Sequence, residues 1–208
     1  LGDVYKRQQI KSYQDRAAEL YKNIDVYFAR NVEGYDTYRY YDGNTVLRSW
    51  ICIPLTMGIY EQAKGTVEAL FSDKLWMENG LLTQSGTSTY WDRSTLYAFR
   101  GAYSCGARDI ATEYLDKYSA TRLLGDHVPY AVEAWPEGNQ RHLSTESALY
   151  CRIMTDGLFG IRPIALDAIV MTPQLPESCN IMSLKRVCAF GSIFDIEAVS
   201  YTHLTLPT

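Results

Sequence analysis

The sequence is poor in metal-ligating side chains: it has three His, and its five Cys (Cys52, Cys105, Cys151, Cys179, Cys188) form no C-x-x-C pair. Protein zinc sites are built from clustered Cys and His, so no metal and no cofactor is expected, and His127 lacks partners to ligate with. Basic charge is not in excess either. With 20 Lys and Arg against 24 Asp and Glu, the net charge is −4, which argues against a nucleic-acid partner. No apolar run approaches the roughly 18 to 20 residues of a membrane span, and the start shows no charged segment leading into an apolar one, the mark of a secretory leader. A Gly-rich phosphate loop and a Ser-His-Asp arrangement are also missing. Cys52, Cys105 and Cys151 lie inside apolar helical patterns, where a free thiol behaves as a small hydrophobe, so burial is expected for them.

What is present is an ordinary globular composition, 47% hydrophobic and 21% charged, with enough apolar material for one sizeable core. Seventeen Tyr and four Trp form a heavy aromatic load, suited both to packing and to stacking on sugar faces. The two ends read differently from the rest. LGDVYKRQ (1–8) and the tail ending in YTHLTLPT (199–208) resemble translated sequencing-adaptor tags, of the kind found at the ends of metagenomic contigs. The expected organisation is therefore a tag over 1–8, a helical-hairpin unit over 9–160, a truncated β-rich unit over 161–198 and a second tag.

Apolar residues spaced by three and four predict six helices. The first runs over Ile10–Asn31, and a polar, Tyr-rich loop (Gly34–Asn44) follows it. The second covers about Thr45–Tyr60, apolar nearly all round and bent at Pro54. The third covers Gly65–Met77 and ends at Asn79-Gly80. A long polar loop, GLLTQSGTSTYW, separates it from the fourth, Asp92–Cys105, with Leu96, Phe99 and Tyr103 on its face. After a break at Gly106 the fifth covers Arg108–Leu124, and the sixth Ser144–Leu158, opening with a capping pattern. Beyond Gly160 short β-like runs (Ala168–Met171, Leu184–Ala189, Ile193–Glu197) alternate with Pro. Connections one-to-two, three-to-four and five-to-six are long. In a stack of helical hairpins alternate connections emerge on one face, so these three loops should share an end, and a site belongs there.

The fifth-to-sixth connection, Gly125 onward, is the richest in chemistry: Asp126, His127, Glu133, Trp135, Glu137 and His142 lie within it. Loops this long are uncommon unless functional. Inverting hydrolysis of a glycosidic bond needs an acid on the leaving oxygen and, about 6.5 to 9.5 Å away, a carboxylate to activate water. Glu133 is the candidate base, set among Tyr130, Ala131, Val132, Ala134 and Trp135, an apolar setting that raises a carboxylate's pKa. A solvated loop carboxylate, or one paired with Arg141, is the plain alternative. Glu137, in a Pro-Glu-Gly turn, ranks second. His142 and Glu146, spaced to meet on one helical face, read as a pair that holds the loop. Trp91, Asp92 and Arg93 suit a sugar cradle, although Asp92 is equally placed to cap its helix. Tyr40 and Asp42, with Tyr38 and Tyr41, line a subsite or form a packed lid.

At Tyr90-Trp91-Asp92-Arg93, Glu133-Ala134-Trp135 and His142-Leu143-Ser144 the sequence resembles the six-hairpin (α/α)6-toroid glycoside hydrolases, in particular bacterial α-L-rhamnosidase-like and glucosidase-like members. The tail, with Met171-Thr172-Pro173-Gln174-Leu175-Pro176 and Ala189-Phe190-Gly191, is similar to the passage from such a toroid into a β-sandwich. The resemblance implies a mainly α fold, the second half of a toroid followed by the start of a C-terminal β-sandwich. It also implies a carbohydrate substrate and a periplasmic or secreted location. Glu133 falls on the family's general-base position, in the loop before the twelfth helix. His142 and Trp135 would orient it, and Trp91, Asp92, Arg93, Tyr40 and Asp42 would hold sugar. The general acid belongs to the missing N-terminal half, so the chain alone is expected to be inactive. Two other readings stand beside this one. One is a glycoside phosphorylase on the same scaffold, with Gln84–Thr89 and Arg141 around phosphate. The other is a non-catalytic helical-repeat binding protein.

Overall fold

The computed structural model describes residues 2–123, 134–135 and 144–200. Helix α1 (Gly2–Phe28) leads into a hairpin of β1 (Ala29–Val32) and β2 (Tyr35–Tyr38), with Val32 opposite Tyr35. This corrects the expected helix end at Asn31 and the expected loop from Gly34. β-branched and aromatic residues favour a pleated edge, and Glu33 and Gly34 turn the chain with positive φ of 51° and 99°.

The second predicted helix is much shorter than expected. A 3-10 turn over Ser49–Cys52 passes into α2 (Ile53–Thr56). Pro54 lies in the first turn of α2, where a missing N–H is no loss, so it opens the helix instead of bending it. Helix α3 covers only Ala63–Leu70. The stretch read as its second half is a tight hairpin, β3 (Trp76–Met77) against β4 (Gly80–Leu81). Leu75, Leu81 and Leu82 are buried, so the first part of the expected long polar loop, Leu81 and Leu82, belongs to the core.

The second half follows the sequence closely. Strand β5 (Tyr90–Trp91) opens α4 (Asp92–Ser104), and α5 (Arg108–Tyr118) ends in a π-helical turn, Ser119–Leu123. Strand β6 is Ala134–Trp135, and α6 (Ser144–Arg152) continues into a second π-helical turn, Ile153–Leu158. Two antiparallel hairpins follow, β7 (Ile161–Ala165) with β8 (Ala168–Met171) and β9 (Ile181–Ala189) with β10 (Ser192–Val199). Strand β7 escaped sequence reading because Pro163 breaks its pattern; it sits at a two-stranded edge beside a register shift, a setting that tolerates Pro.

Helix α4 is the axis of the body. Leu96, Phe99 and Tyr103 are buried as expected, together with Ala98 and Ala102. It packs on α2, α5, α6 and the second π-helical turn. A Cβ on Gly101 would stand 2.8 Å from that of Leu55, so α2 and α4 approach closely because that position carries no side chain. Much of the aromatic load is core: Phe71, Trp76, Phe99, Tyr114 and Tyr118 form a cluster with ring centroids 4.7 to 6.1 Å apart. Cys52 is buried and Cys105 half-buried, whereas Cys151 is exposed on α6, contrary to expectation; all five thiols are free.

Among the described residues, helix α1 touches the body only near its C-terminal end. Its predicted stripe is otherwise uncovered, with Ile10, Tyr13, Leu20 and Tyr27 exposed, while Ile24 and Phe28, on the same stripe, pack against the core.

Candidate functional site

The long connections meet at the N-terminal end of α4. Tyr90 pairs with Trp135 and Trp91 with Ala134, so β5 and β6 join the third-to-fourth connection to the fifth-to-sixth. An isolated bridge between Arg48 and Gln84 adds the segment ahead of α2. Glu33 fastens it: its carboxylate accepts from the Leu47 N–H at 2.9 Å and the Ser85 hydroxyl at 3.4 Å, while Lys74 Nζ donates to its carbonyl. The expected convergence of the loops is therefore present among the described residues. Glu133, Glu137 and His142 lie outside the described residues, as do Asp126, His127 and Arg141; of Trp135 only the backbone is described.

Aromatic rings gather beside this junction. Trp50 and Trp91 meet edge to face with centroids 5.0 Å apart, and Tyr97 lies 6.1 Å from Trp50. Offset and edge-to-face contacts of this kind add to the packing of half-buried rings. Tyr40 is half exposed, and the Arg48 guanidinium sits 5.1 Å from the centre of its ring. Asp42 holds Arg39 on the rim. Sequence reading missed Trp50 and Arg48, because both fell inside a stretch read as a buried helix; the 3-10 turn instead leaves them half-buried.

Beneath the rings the carboxylates are committed to charged partners. Asp92 is 1% exposed and Arg122 2%, and the guanidinium grips both carboxylate oxygens, Nη2 to Oδ2 at 2.9 Å and Nε to Oδ1 at 3.4 Å. Asp92 thus lies under the rim, and the first turn of α4 has no side-chain cap. Arg93 Nε donates to Oε1 of the fully buried Glu146 at 2.7 Å, linking the first turns of α4 and α6. Glu146 was read only as a partner for His142. Tyr118 lies beside the Asp92–Arg122 pair; its hydroxyl is pushed well above its ordinary value, first by burial and then by the Asp92 charge.

Among the described residues no cluster of His, Cys, Asp and Glu could hold a metal, and no helix is long and apolar enough to cross a membrane.

The fold is mainly α, with short strand pairs at its loops and a hairpin-rich tail. Among solved structures it is similar to a neutral trehalase from Saccharomyces cerevisiae, with a TM-score of 0.52 and 16% identity over 69% of this chain. The chain spans 30% of that protein's length. At this identity the likeness concerns the fold. No protein-family model matches the sequence, and no curated protein matches it.

Proposed function

We propose that this chain is part of an inverting glycoside hydrolase of the six-hairpin kind: the second half of an (α/α)6 toroid and the start of the β-rich unit that follows it. The observation that carries the reading is the junction at the N-terminal end of α4, where Trp91 pairs with Ala134, the residue after Glu133, beside the Trp50, Tyr97 and Tyr40 rings. Aromatic faces beside convergent polar groups suit a sugar, and a fold shared with a trehalase fits a carbohydrate substrate.

In this reading Glu133 is the general base that draws a proton from water as it attacks the anomeric carbon, with Trp135 and His142 orienting it; Glu137 is the second candidate. Trp91, Tyr40 and Asp42 meet the sugar. Arg93 and Asp92 serve from below, through their ion pairs with Glu146 and Arg122, by fixing the turn that carries Trp91. The general acid, which gives its proton to the leaving oxygen, belongs to an N-terminal half that packs along the uncovered stripe of α1. In a protein extended upstream to include that half, Glu133→Gln lowers turnover by about 10²-fold or more and leaves sugar binding in place. Unchanged turnover removes Glu133 from the role. Product must form without added phosphate; strict phosphate dependence would move the reading to a phosphorylase.

A further inference from the structure

The other end of α4, about 20 Å along the helix by its rise per residue, borders a separate cavity. This cavity, of about 340 Å³, opens where the helical body meets the first tail hairpin, lined in part by Tyr60, Cys105, Asp156, Arg162, Thr172 and Gln174. Its size falls within the range of small-molecule sites. Four segments build it: Tyr60 in the link between α2 and α3, the C-terminal turn of α4 with the Gly106 break after it, the second π-helical turn, and β7 with the residues that follow β8.

The lining holds one carboxylate, Asp156, and one guanidinium, Arg162. Asp156 is taken up by two guanidinium groups outside the lining: Arg100 lies 3.5 Å from it, and Arg152 binds it from α6. Two cations thus share one anion, and Arg100 is left with a lowered pKa, from burial first and from Arg152 second. Arg162, exposed on β7, has no carboxylate within ion-pair distance among the described residues; the Tyr60 hydroxyl beside it is raised by burial, a rise that the Arg162 charge partly offsets. The backbone around the mouth is fixed. Thr172 N–H donates to Gly160 O at 3.2 Å, and Gln174 N–H to Leu158 O at 2.7 Å. A Cβ on Gly160 would stand 2.3 Å from Thr172 O, so the segments that flank β7 and β8 meet here only because residue 160 has no side chain.

We propose that this cavity binds a small oxyanion-bearing ligand, its anionic group on the Arg162 guanidinium with the Tyr60 and Thr172 hydroxyls as further donors. A guanidinium recognises carboxylate and phosphate through the same planar fork, so organic acid and phosphate ester share the required chemistry. The site is independent of the glycosidase reading, since none of its lining belongs to the junction at the other end of α4.

The test is equilibrium dialysis of the whole chain against radiolabelled inorganic phosphate and, separately, radiolabelled citrate, at constant ionic strength set with chloride. One anion per chain should bind saturably, and thermal melting at saturation should rise by about 2 to 4 °C. Arg162→Gln should abolish both effects, while Arg186→Gln, on the second tail hairpin, should leave them intact. Preference for phosphate or citrate identifies the kind of ligand. Thr172→Val, which keeps the guanidinium, should weaken binding severalfold and guards against misreading a folding defect in Arg162→Gln. No saturable binding of either anion, or binding equal in wild type and Arg162→Gln, overturns the proposal.

Discussion

The Asp92–Arg122 pair shows how much can hang on a single side chain. Two ions taken from water at 1% and 2% exposure are tolerable because each is paired with opposite charge, and breaking a buried pair leaves the survivor undercompensated. Arg122→Ala should lower stability by about 3 to 5 kcal/mol in urea unfolding, whereas the double change Asp92→Leu with Arg122→Met should recover most of that loss. A double variant as weak as the single one would mean the pair does more than cancel charge. The buried tyrosines make a separate prediction. Burial lifts the hydroxyls of Tyr38 and Tyr103 from 10.0 to about 12, so between those values the unfolded chain gives up protons that the folded chain keeps. Their contribution is fully present below pH 10 and is lost as the pH climbs toward 12, by roughly 1.4 kcal/mol per unit for each fully shifted group. Alkaline unfolding should therefore steepen in that window. Tyr103→Phe, which removes one such hydroxyl and its bond to Thr112, should flatten it.

Among the elements, the turn at Glu33 and the close approach at Gly65 decide how the first half of the chain assembles. Glu33→Ala leaves the Leu47 N–H without its acceptor; an orphaned half-buried donor costs about 1 to 3 kcal/mol, readable as a lower urea midpoint and as faster amide exchange at Leu47 and Ser85. At Gly65 a Cβ would fall 2.0 Å from the carbonyl oxygen of Asp36, so α3 seats on β2 only because the position is bare. Gly65→Ala should destabilise by about 1 to 3 kcal/mol, and a neutral effect would contradict the packing described. These same elements were the hardest to read in the sequence. Helices α4 and α5, and the helical stretch from Ser144 to Leu158, declared themselves because their apolar spacing is long and flanked by caps and breaks. Residues 29–81 hold short strands, a 3-10 turn and a two-rung hairpin, whose apolar runs are indistinguishable by period from pieces of a buried helix. Trp50 and Arg48 were lost with that misreading. The meeting of the loops was legible from connection lengths alone, but the ion pairs of Asp92 and Arg93 join residues 30 and 53 positions apart, which no local pattern announces.

For the whole molecule, the distinctive feature is what stays uncovered. The α1 stripe of Ile10, Tyr13 and Leu20, continuous with the packed Ile24 and Phe28, runs on toward an apolar groove lined by Tyr40, Trp50, Ile53 and Met57. Exposed apolar faces beyond about 300 to 600 Å² are uncommon on monomers. The isolated chain should therefore associate in a concentration-dependent way in sedimentation velocity, and Tyr13→Lys with Leu20→Lys should shift it toward monomer. A monodisperse wild-type monomer would show that the stripe is harmless in water.

The pairing of Trp91 with Ala134 also bears on how the rim and the interior communicate. Trp91 is at once a rung of that small ribbon and the residue from which α4 starts, and the next two side chains are clamped to Arg122 and Glu146. Rim and spine are thus joined through one residue, so a molecule settling on the indole would stiffen the body's long axis, and damage in the interior would tilt the indole.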